Sequence, residues 1–471
     1  MPIACASLAR NISKAARTFP LATTAAATMA HTPVLKCDTA GLVISPSAAG
    51  KGHALQTPTL SMPPALQASL DVAAAHLKAG RTVAFPTETV YGLGAHSLDP
   101  SAVAKVYAIK RRPSDNPLII HVSSLDMLSR LLPPTYALSE LYLALIDAFW
   151  PGPLTLLFPS PTPPPPPAPQ TNAIRMPAHP LARALIAVAD IPVSAPSANS
   201  SGRPSPTQAS HVAHDLDGAD GLGCILDGGA CGVGVESTVV DGLAWVTGGG
   251  GSVNVLRPGG LGVEEIARVV AEVDAKHGGS TQVLLHGKPW APGGQSATKA
   301  AVKPKNDAPP STPGMKYRHY SPRVPVHLLL PSNTFPAPPI QASVTSPVEV
   351  VRRLAAMTGK PCPKLGFLHF ENSPLSRALV DVEGVQLVPL SLGPDATSAA
   401  QRLFGGMLAL EADGTTTGVD AILIEGCSDD GLGLAVMERV GKAVGGGGVS
   451  GNLGNGQVST PSEEGRYWVK V

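Results

Sequence analysis

A hydroxyl-rich turn and a cluster of cations lie one helix apart in this chain. Pro86-Thr-Glu-Thr-Val-Tyr-Gly92 follows an apolar strand at 82–85. Lys110, Arg111 and Arg112 close the next helical stretch and lead through Pro113 into a second apolar strand, 118–122. This order places hydrogen-bond donors and fixed positive charge at adjacent strand ends, where open α/β sheets take their ligands. The chemistry it suits is anion binding, with a nucleotide as the first candidate. Thr87, Thr89 and Tyr91 can donate to such a ligand, while Glu88 either braces the turn by accepting backbone N–H groups or takes part in catalysis. Lys110 and Arg112 are the phosphate candidates, although cations at a helix C-terminus also offset the macrodipole. The residue types alone leave both readings open.

Further constellations sit at later strand ends. Arg175 lies in the apolar run Ala173-Ile-Arg-Met-Pro177, where a charge is costly unless paired. Ser194-Ala-Pro-Ser197-Ala-Asn199-Ser-Ser-Gly202 offers small donors and no bulk, so a ligand could approach its backbone closely. Ser237 and Thr238 add a hydroxyl pair, and Arg257 another lone cation. Together they suit a polyphosphate and a small zwitterion, that is, a nucleotide-dependent enzyme with no covalent nucleophile in evidence. The sequence has no G-x-x-x-x-G-K-[ST] loop and no H-E-x-x-H or cysteine-based metal signature, and Gly92-Leu-Gly94 is only a fragment of a G-x-G-x-x-G turn. A phosphate site must therefore be assembled from scattered side chains and amides.

The elements that carry these groups alternate. Helices are predicted at 65–79, 100–110, 138–149, 180–189, 207–216 and 263–273, and strands at 82–85, 118–122, 153–158, 192–195, 224–227, 236–241 and 253–256. The proline run 160–170 can be neither helix nor central strand and reads as a surface insertion. Residues 276–312 are rich in Gly, Pro and Lys without periodicity and read as a linker. A cleaner alternation follows, with strands at 324–330, 364–370, 385–390 and 421–425 and helices at 346–357, 396–411 and 432–443, the pattern of a smaller doubly wound domain. The expected organisation is an N-terminal extension (1–64), a first domain (65–275), a linker (276–322), a second domain (323–444) and a Gly-rich tail (445–471).

With 35 Lys+Arg against 34 Asp+Glu the net charge is +1, so RNA binding would have to come from a local patch. Aromatic residues make up 4%, too few to suggest the stacking platforms of an RNA-binding module, which is the alternative reading of the cationic cleft. The six cysteines show no paired spacing, which argues against a zinc site or disulfide framework and fits a reducing compartment. No apolar run is long enough to span a bilayer. The first 30 residues carry Arg10, Lys14 and Arg17 among Ala, Ser and Thr without an acidic residue, which fits a mitochondrial or plastid transit segment, with Met29 as an alternative start for a cytoplasmic product.

At these residues the chain resembles the YrdC-like threonylcarbamoyl-AMP synthase family in its longer, two-domain form. The matching blocks are PTETVYGLG (86–94), KRRPSDNPLIIHV (110–122), AIRMP (173–177), SAPSANSSG (194–202), GVESTVVD (234–241) and LRPGG (256–260), with PGMKYRHYSP (313–322) after them. The resemblance implies a YrdC-like twisted mixed α/β sheet with flanking helices and an open concave ligand site, followed by a smaller Rossmann-like doubly wound α/β domain. It implies that L-threonine, bicarbonate (or CO2) and ATP with Mg2+ as substrate give threonylcarbamoyl-AMP and pyrophosphate, with no tightly bound cofactor and no membrane. A downstream threonylcarbamoyl transferase would receive the product for tRNA modification next to the anticodon, and a weak tRNA contact is compatible with that role. Carried over, Lys110 and Arg112 are the catalytic pair, with Tyr91, Ser194, Ser197, Asn199 and Arg257 beside them around ATP. Thr87, Thr89, His121, Arg175 and Ser237 hold the threonine and carbamate. Lys316, Tyr317, Arg318, His319 and Tyr320 form either a lid or a plain tether. The departures are the proline insertion before Arg175, the length of the linker and the tail, and none touches a matched block.

Overall fold

The computed structural model describes residues 31–45, 56–162, 170–291, 319–335, 344–411, 418–444 and 465–471. The transit-like segment, most of the proline run and Lys316, Tyr317 and Arg318 fall outside them.

The first domain is built on a mixed sheet of twelve strands. From one edge the order is Val34–Lys36, Leu222–Asp227, Thr82–Phe85, Gly92–His96, Val193–Ser194, Ile119–His121, Thr171–Arg175, Leu154–Pro159, Thr238–Asp241, Gly251–Arg257, Thr281–Leu285 and Lys288–Pro289. Amphipathic helices cover both faces. Pro64–Lys78, Glu140–Phe149, Pro180–Ala189 and Val263–His277 bury Leu70, Leu145, Leu185 and Val270 against one face. Pro100–Lys110 and Ala209–Leu216 bury Val106 and Val212 against the other.

Two expectations change at the edges of this domain. Val34–Lys36 pairs parallel with Leu222–Asp227, so part of the supposed N-terminal extension is an edge strand of the sheet. The last helix runs to His277, and Thr281–Leu285 then pairs parallel with Gly251–Arg257, so the start of the supposed linker is ordered sheet. Thr281 is anchored there by Asp274, whose carboxylate accepts from its N–H at 2.7 Å and its hydroxyl at 2.6 Å. Polar composition hid these short strands at the sheet margin because they have one buried residue between them, Leu285. The proline run sits between Leu154–Pro159 and Thr171–Arg175, which pair antiparallel in unbroken register from Thr155 with Arg175 to Pro159 with Thr171. The insertion leaves the hairpin that carries Arg175 intact.

The second domain is a five-stranded parallel sheet in the order Gln386–Gly393, Lys364–Phe370, Ala421–Glu425, Val326–Pro331 and Arg466–Val469. Helices Ala396–Glu411 and Gly433–Ala443 pack on one face, and Pro347–Met357 and Pro374–Ala378 on the other. The strand at Arg466–Val469 lies in what the composition marked as tail. It closes the sheet edge through Tyr467 and Trp468, which the surrounding glycines obscure.

The two domains share one apolar cluster, in which Val90 and Val235 of the first pack with Leu403 and Phe404 of the second. Gly234 makes that contact feasible. A Cβ there would stand 2.4 Å from the carbonyl oxygen of Ala400 and from Cα of Gln401, and its φ of +82° suits glycine. Arg203 grips Glu411 across the same seam with two hydrogen bonds, at 2.5 and 2.6 Å.

Candidate active site

The helix that carries Lys110 is bounded as the sequence predicts. Asp99 caps it by accepting from Ser101 N at 2.8 Å, Pro100 takes the first turn, and Arg111 ends it in the left-handed region at φ 51°. That one reversal turns Arg111 out to solvent and brings Lys110 and Arg112 to the same cavity. Lys110 Nζ donates to the carbonyls of Ser197 and Asn199, the latter at 2.5 Å, and so ties the helix end to the small-residue loop. Burial first, then the neighbouring Arg112, pushes its pKa well below the usual lysine range. Arg112 donates to the carbonyls of Asn116 at 3.0 Å and Pro117 at 2.8 Å, and burial lowers its pKa to about 10.

Arg175 is paired, as its cost in an apolar strand requires. Its guanidinium meets the Glu88 carboxylate, donates to Thr89 Oγ1 at 2.9 Å and to the carbonyl of Gly152 at 3.1 Å. Glu88 also accepts from Ala178 N at 3.0 Å, so it braces the turn and positions Arg175. Thr87 Oγ1 lies 2.7 Å from Thr89 Oγ1 and donates to the carbonyl of Val90, which locks the turn. His121 lies in the same wall, and burial followed by Arg175 lowers its pKa to about 3, leaving the imidazole neutral. Arg257 donates to the Ser237 carbonyl at 2.8 Å and to Ser237 Oγ at 3.2 Å.

Thus Thr87, Thr89, Lys110, Arg112, His121, Arg175, Ser197, Asn199, Ser237 and Arg257 share one cavity. Tyr91 and Ser194 do not line it. The Tyr91 ring is fully buried in the core beneath the sheet, and its hydroxyl donates to the Gly229 carbonyl at 2.7 Å. Ser194 precedes Ala195 on a strand, so when Ala195 faces the cavity Ser194 faces away, and its hydroxyl meets Ser97 Oγ at 3.0 Å. His319 and Tyr320 reach the cavity from the connecting segment. Tyr320, at φ 66°, stacks on Phe404 with ring centroids 5.2 Å apart, and Ser321 N donates to the Gly202 carbonyl at 2.7 Å. The cavity these residues line is partly open to solvent and holds about 740 Å3 of empty space.

Sequence reasoning missed Glu236, the carboxylate in this cationic wall. It accepts from Ser205 Oγ at 2.6 Å and from Arg439 Nε at 3.0 Å. Burial alone would raise its pKa, but Arg439 and Arg257 outweigh it and hold it at about 2. Its signal was its place inside the GVESTVVD block, one residue before Ser237. Among the described residues no group of three or more metal-ligating side chains occurs.

Comparison with known proteins identifies the family. A family model described as telomere recombination matches residues 75–259, and one described as the threonylcarbamoyl-AMP synthase C-terminal domain matches residues 262–445. The threonylcarbamoyl-AMP synthase of Schizosaccharomyces pombe is 39% identical over 420 residues, covering 83% of this chain and 92% of that protein. The threonylcarbamoyl-AMP synthase of Pyrococcus abyssi is 38% identical over 381 residues, covering 79% and 93%. The crystal structure of P. abyssi Sua5 complexed with L-threonine aligns with a TM-score of 0.59 at 36% identity, over 80% of this chain and 95% of that one.

Proposed function

Because this chain belongs to the threonylcarbamoyl-AMP synthase family, in its two-domain form, we propose that the cavity joins L-threonine, CO2 or bicarbonate and MgATP into L-threonylcarbamoyl-AMP with release of pyrophosphate. The observation that carries this reading is the division of the cavity wall. Arg175, Thr89 and His121 stand at one part of it, where a small zwitterion's carboxylate would be paired. Lys110, Arg112, Ser197 and Asn199 stand at another, where phosphates would lie. The Sua5 relative solved with L-threonine supports threonine as a substrate.

The threonine amine loses a proton and adds to CO2. A carbamate oxygen then attacks the α-phosphorus, and the bond from that phosphorus to the pyrophosphate oxygen breaks. Anion approaches anion, so the protein's work is positioning and charge neutralisation by Lys110, Arg112 and Arg257. The metal travels on the nucleotide phosphates, since Glu236 is already engaged by Ser205 and Arg439. Both the carbamate and the mixed anhydride react with water, so a roof at His319 and Tyr320 that closes over bound substrates protects them. The His319 imidazole, neutral because burial lowers its pKa to about 3, adds no charge to that roof. The product passes to a threonylcarbamoyl transferase acting on tRNA. The basic, acid-free segment at 1–30 supports delivery to a mitochondrion or plastid, with Met29 as the start of a cytoplasmic form.

The RNA-binding alternative finds no support here. Lys110, Arg175 and Arg257 are each at most 5% exposed, too deep for a nucleic-acid backbone to reach. The purified chain is expected to release pyrophosphate from MgATP in a manner that requires both L-threonine and bicarbonate, with L-serine a poorer substitute. Release indifferent to threonine would overturn the reading.

A further inference from the structure

Arg439 lies on the helix Gly433–Ala443 of the second domain, yet its side chain, 1% exposed, ends against Glu236 and Pro258 of the first domain, behind the cavity wall that Glu236 lines. A buried guanidinium is costly unless its donors are used. Arg439 Nε donates to Glu236 Oε2 at 3.0 Å, and Nη2 lies 3.0 Å from the same oxygen. Nη1 donates to the Pro258 carbonyl at 2.6 Å. The guanidinium carbon also stands 5.7 Å from the ring centroid of Tyr320, within cation–π range.

Those contacts bracket the substrate-facing groups. Glu236 immediately precedes Ser237, and Pro258 immediately follows Arg257. Ser237 and Arg257 are themselves bonded to each other across their two strands. One guanidinium therefore fixes the outer neighbours of both residues and touches the roof above them. It also neutralises a carboxylate that would otherwise confront the phosphates or draw Arg257 away from them. None of this follows from the first domain alone.

We propose that Arg439 is a positioning residue for the synthase reaction, through which docking of the second domain sets Ser237 and Arg257 and cancels the charge of Glu236. This rests on the reading of the cavity as an ATP and threonine site. It gives the second domain a defined part in that site beyond holding the connecting segment.

The test compares Arg439→Met, Arg439→Lys, Glu236→Gln and the double variant Arg439→Met/Glu236→Gln in the full-length chain. Two quantities are measured: the ATP dissociation constant by calorimetry, and kcat for threonine-dependent pyrophosphate release. Arg439→Met should weaken ATP binding by about tenfold, through the carboxylate left without its cation, and lower kcat by on the order of 100-fold. Arg439→Lys keeps the charge but not the fork, so ATP affinity should stay near wild type while kcat falls about tenfold. In the double variant ATP affinity should return to within about threefold of wild type while kcat stays low, because Pro258 is still unheld. A merely structural arginine would not separate the two readouts in this way. Should Arg439→Met fail to fold, Arg439→Lys and the double variant carry the comparison. Wild-type kcat in Arg439→Lys, or ATP binding that Glu236→Gln does not restore, would overturn the proposal. A wild-type chain that binds ATP but releases no pyrophosphate would instead refute the reaction reading and leave the affinity comparison standing.

Discussion

Replacing Lys110 by methionine is expected to lower threonine-dependent pyrophosphate release on the order of 1,000-fold while leaving the far-UV circular dichroism spectrum unchanged. The ammonium is almost fully buried, and its hydrogen-bond acceptors are neutral carbonyls of Ser197 and Asn199. No carboxylate is orphaned by its removal, so the fold should tolerate a side chain of similar length. Its charge, in contrast, has no substitute at that point of the wall. Three decades in rate correspond to about 4 kcal/mol of transition-state stabilisation, the range found when a preorganised charge or donor is removed from a water-poor site. Arg112 stands beside it but is held by the carbonyls of Asn116 and Pro117, and it cannot move into the vacated position without leaving them. Single-turnover measurement at saturating MgATP checks this. A variant within threefold of wild type would remove Lys110 from the chemistry.

Replacing Arg175 by alanine should produce an equally large loss of a different kind. The pair with Glu88 is buried, and taking away one partner of such a pair costs about 3–5 kcal/mol because the other charge is left behind. Part of that cost falls on the turn itself, since Glu88 also holds Ala178 N and the guanidinium holds Thr89 Oγ1. The expected result is a fall in kcat/KM for threonine on the order of 1,000-fold, with the ATP dissociation constant changed by less than about threefold. Glu88→Gln in the same background should recover stability, read as the melting temperature, but not threonine affinity. Equal losses toward threonine and ATP would contradict the division of the cavity.

Most of the scaffold was legible because buried strands and amphipathic helices carry strong periodic signals. The helix over Pro100–Lys110 could be read end to end from its Asp-Pro start and its exit into Pro113. The alternation in the second domain was equally clear. What escaped were elements whose stability comes from pairing rather than from their own sequence. Val34–Lys36, Thr281–Leu285 and Arg466–Val469 are short strands at or next to a sheet edge, set in polar or Gly-rich surroundings, and the neighbouring strands make them strands.

The site divides in the same way. Lys110, Arg112, Arg175 and Arg257 stand out as cations at strand and helix ends, and the structure brings them together. Tyr91 and Ser194 belong to the same blocks but point into the core and toward Ser97, because neighbouring strand residues face opposite ways. Glu236 and Arg439 could not be paired from sequence, since 203 residues separate them and only the docking of two domains makes them neighbours. Contacts between domains leave no local periodicity to read.

Condensation of threonine, CO2 and ATP in this cavity is open to experiment. Its most direct test is to incubate the purified chain with [14C]bicarbonate, MgATP and L-threonine and to separate the labelled products. The expected product is a labelled adenylate that forms only when all three are present, transfers its label to a tRNA-modifying threonylcarbamoyl transferase, and disappears in the Lys110→Met variant. Labelled adenylate formed without threonine, or no labelled adenylate from a chain that binds ATP, would contradict it.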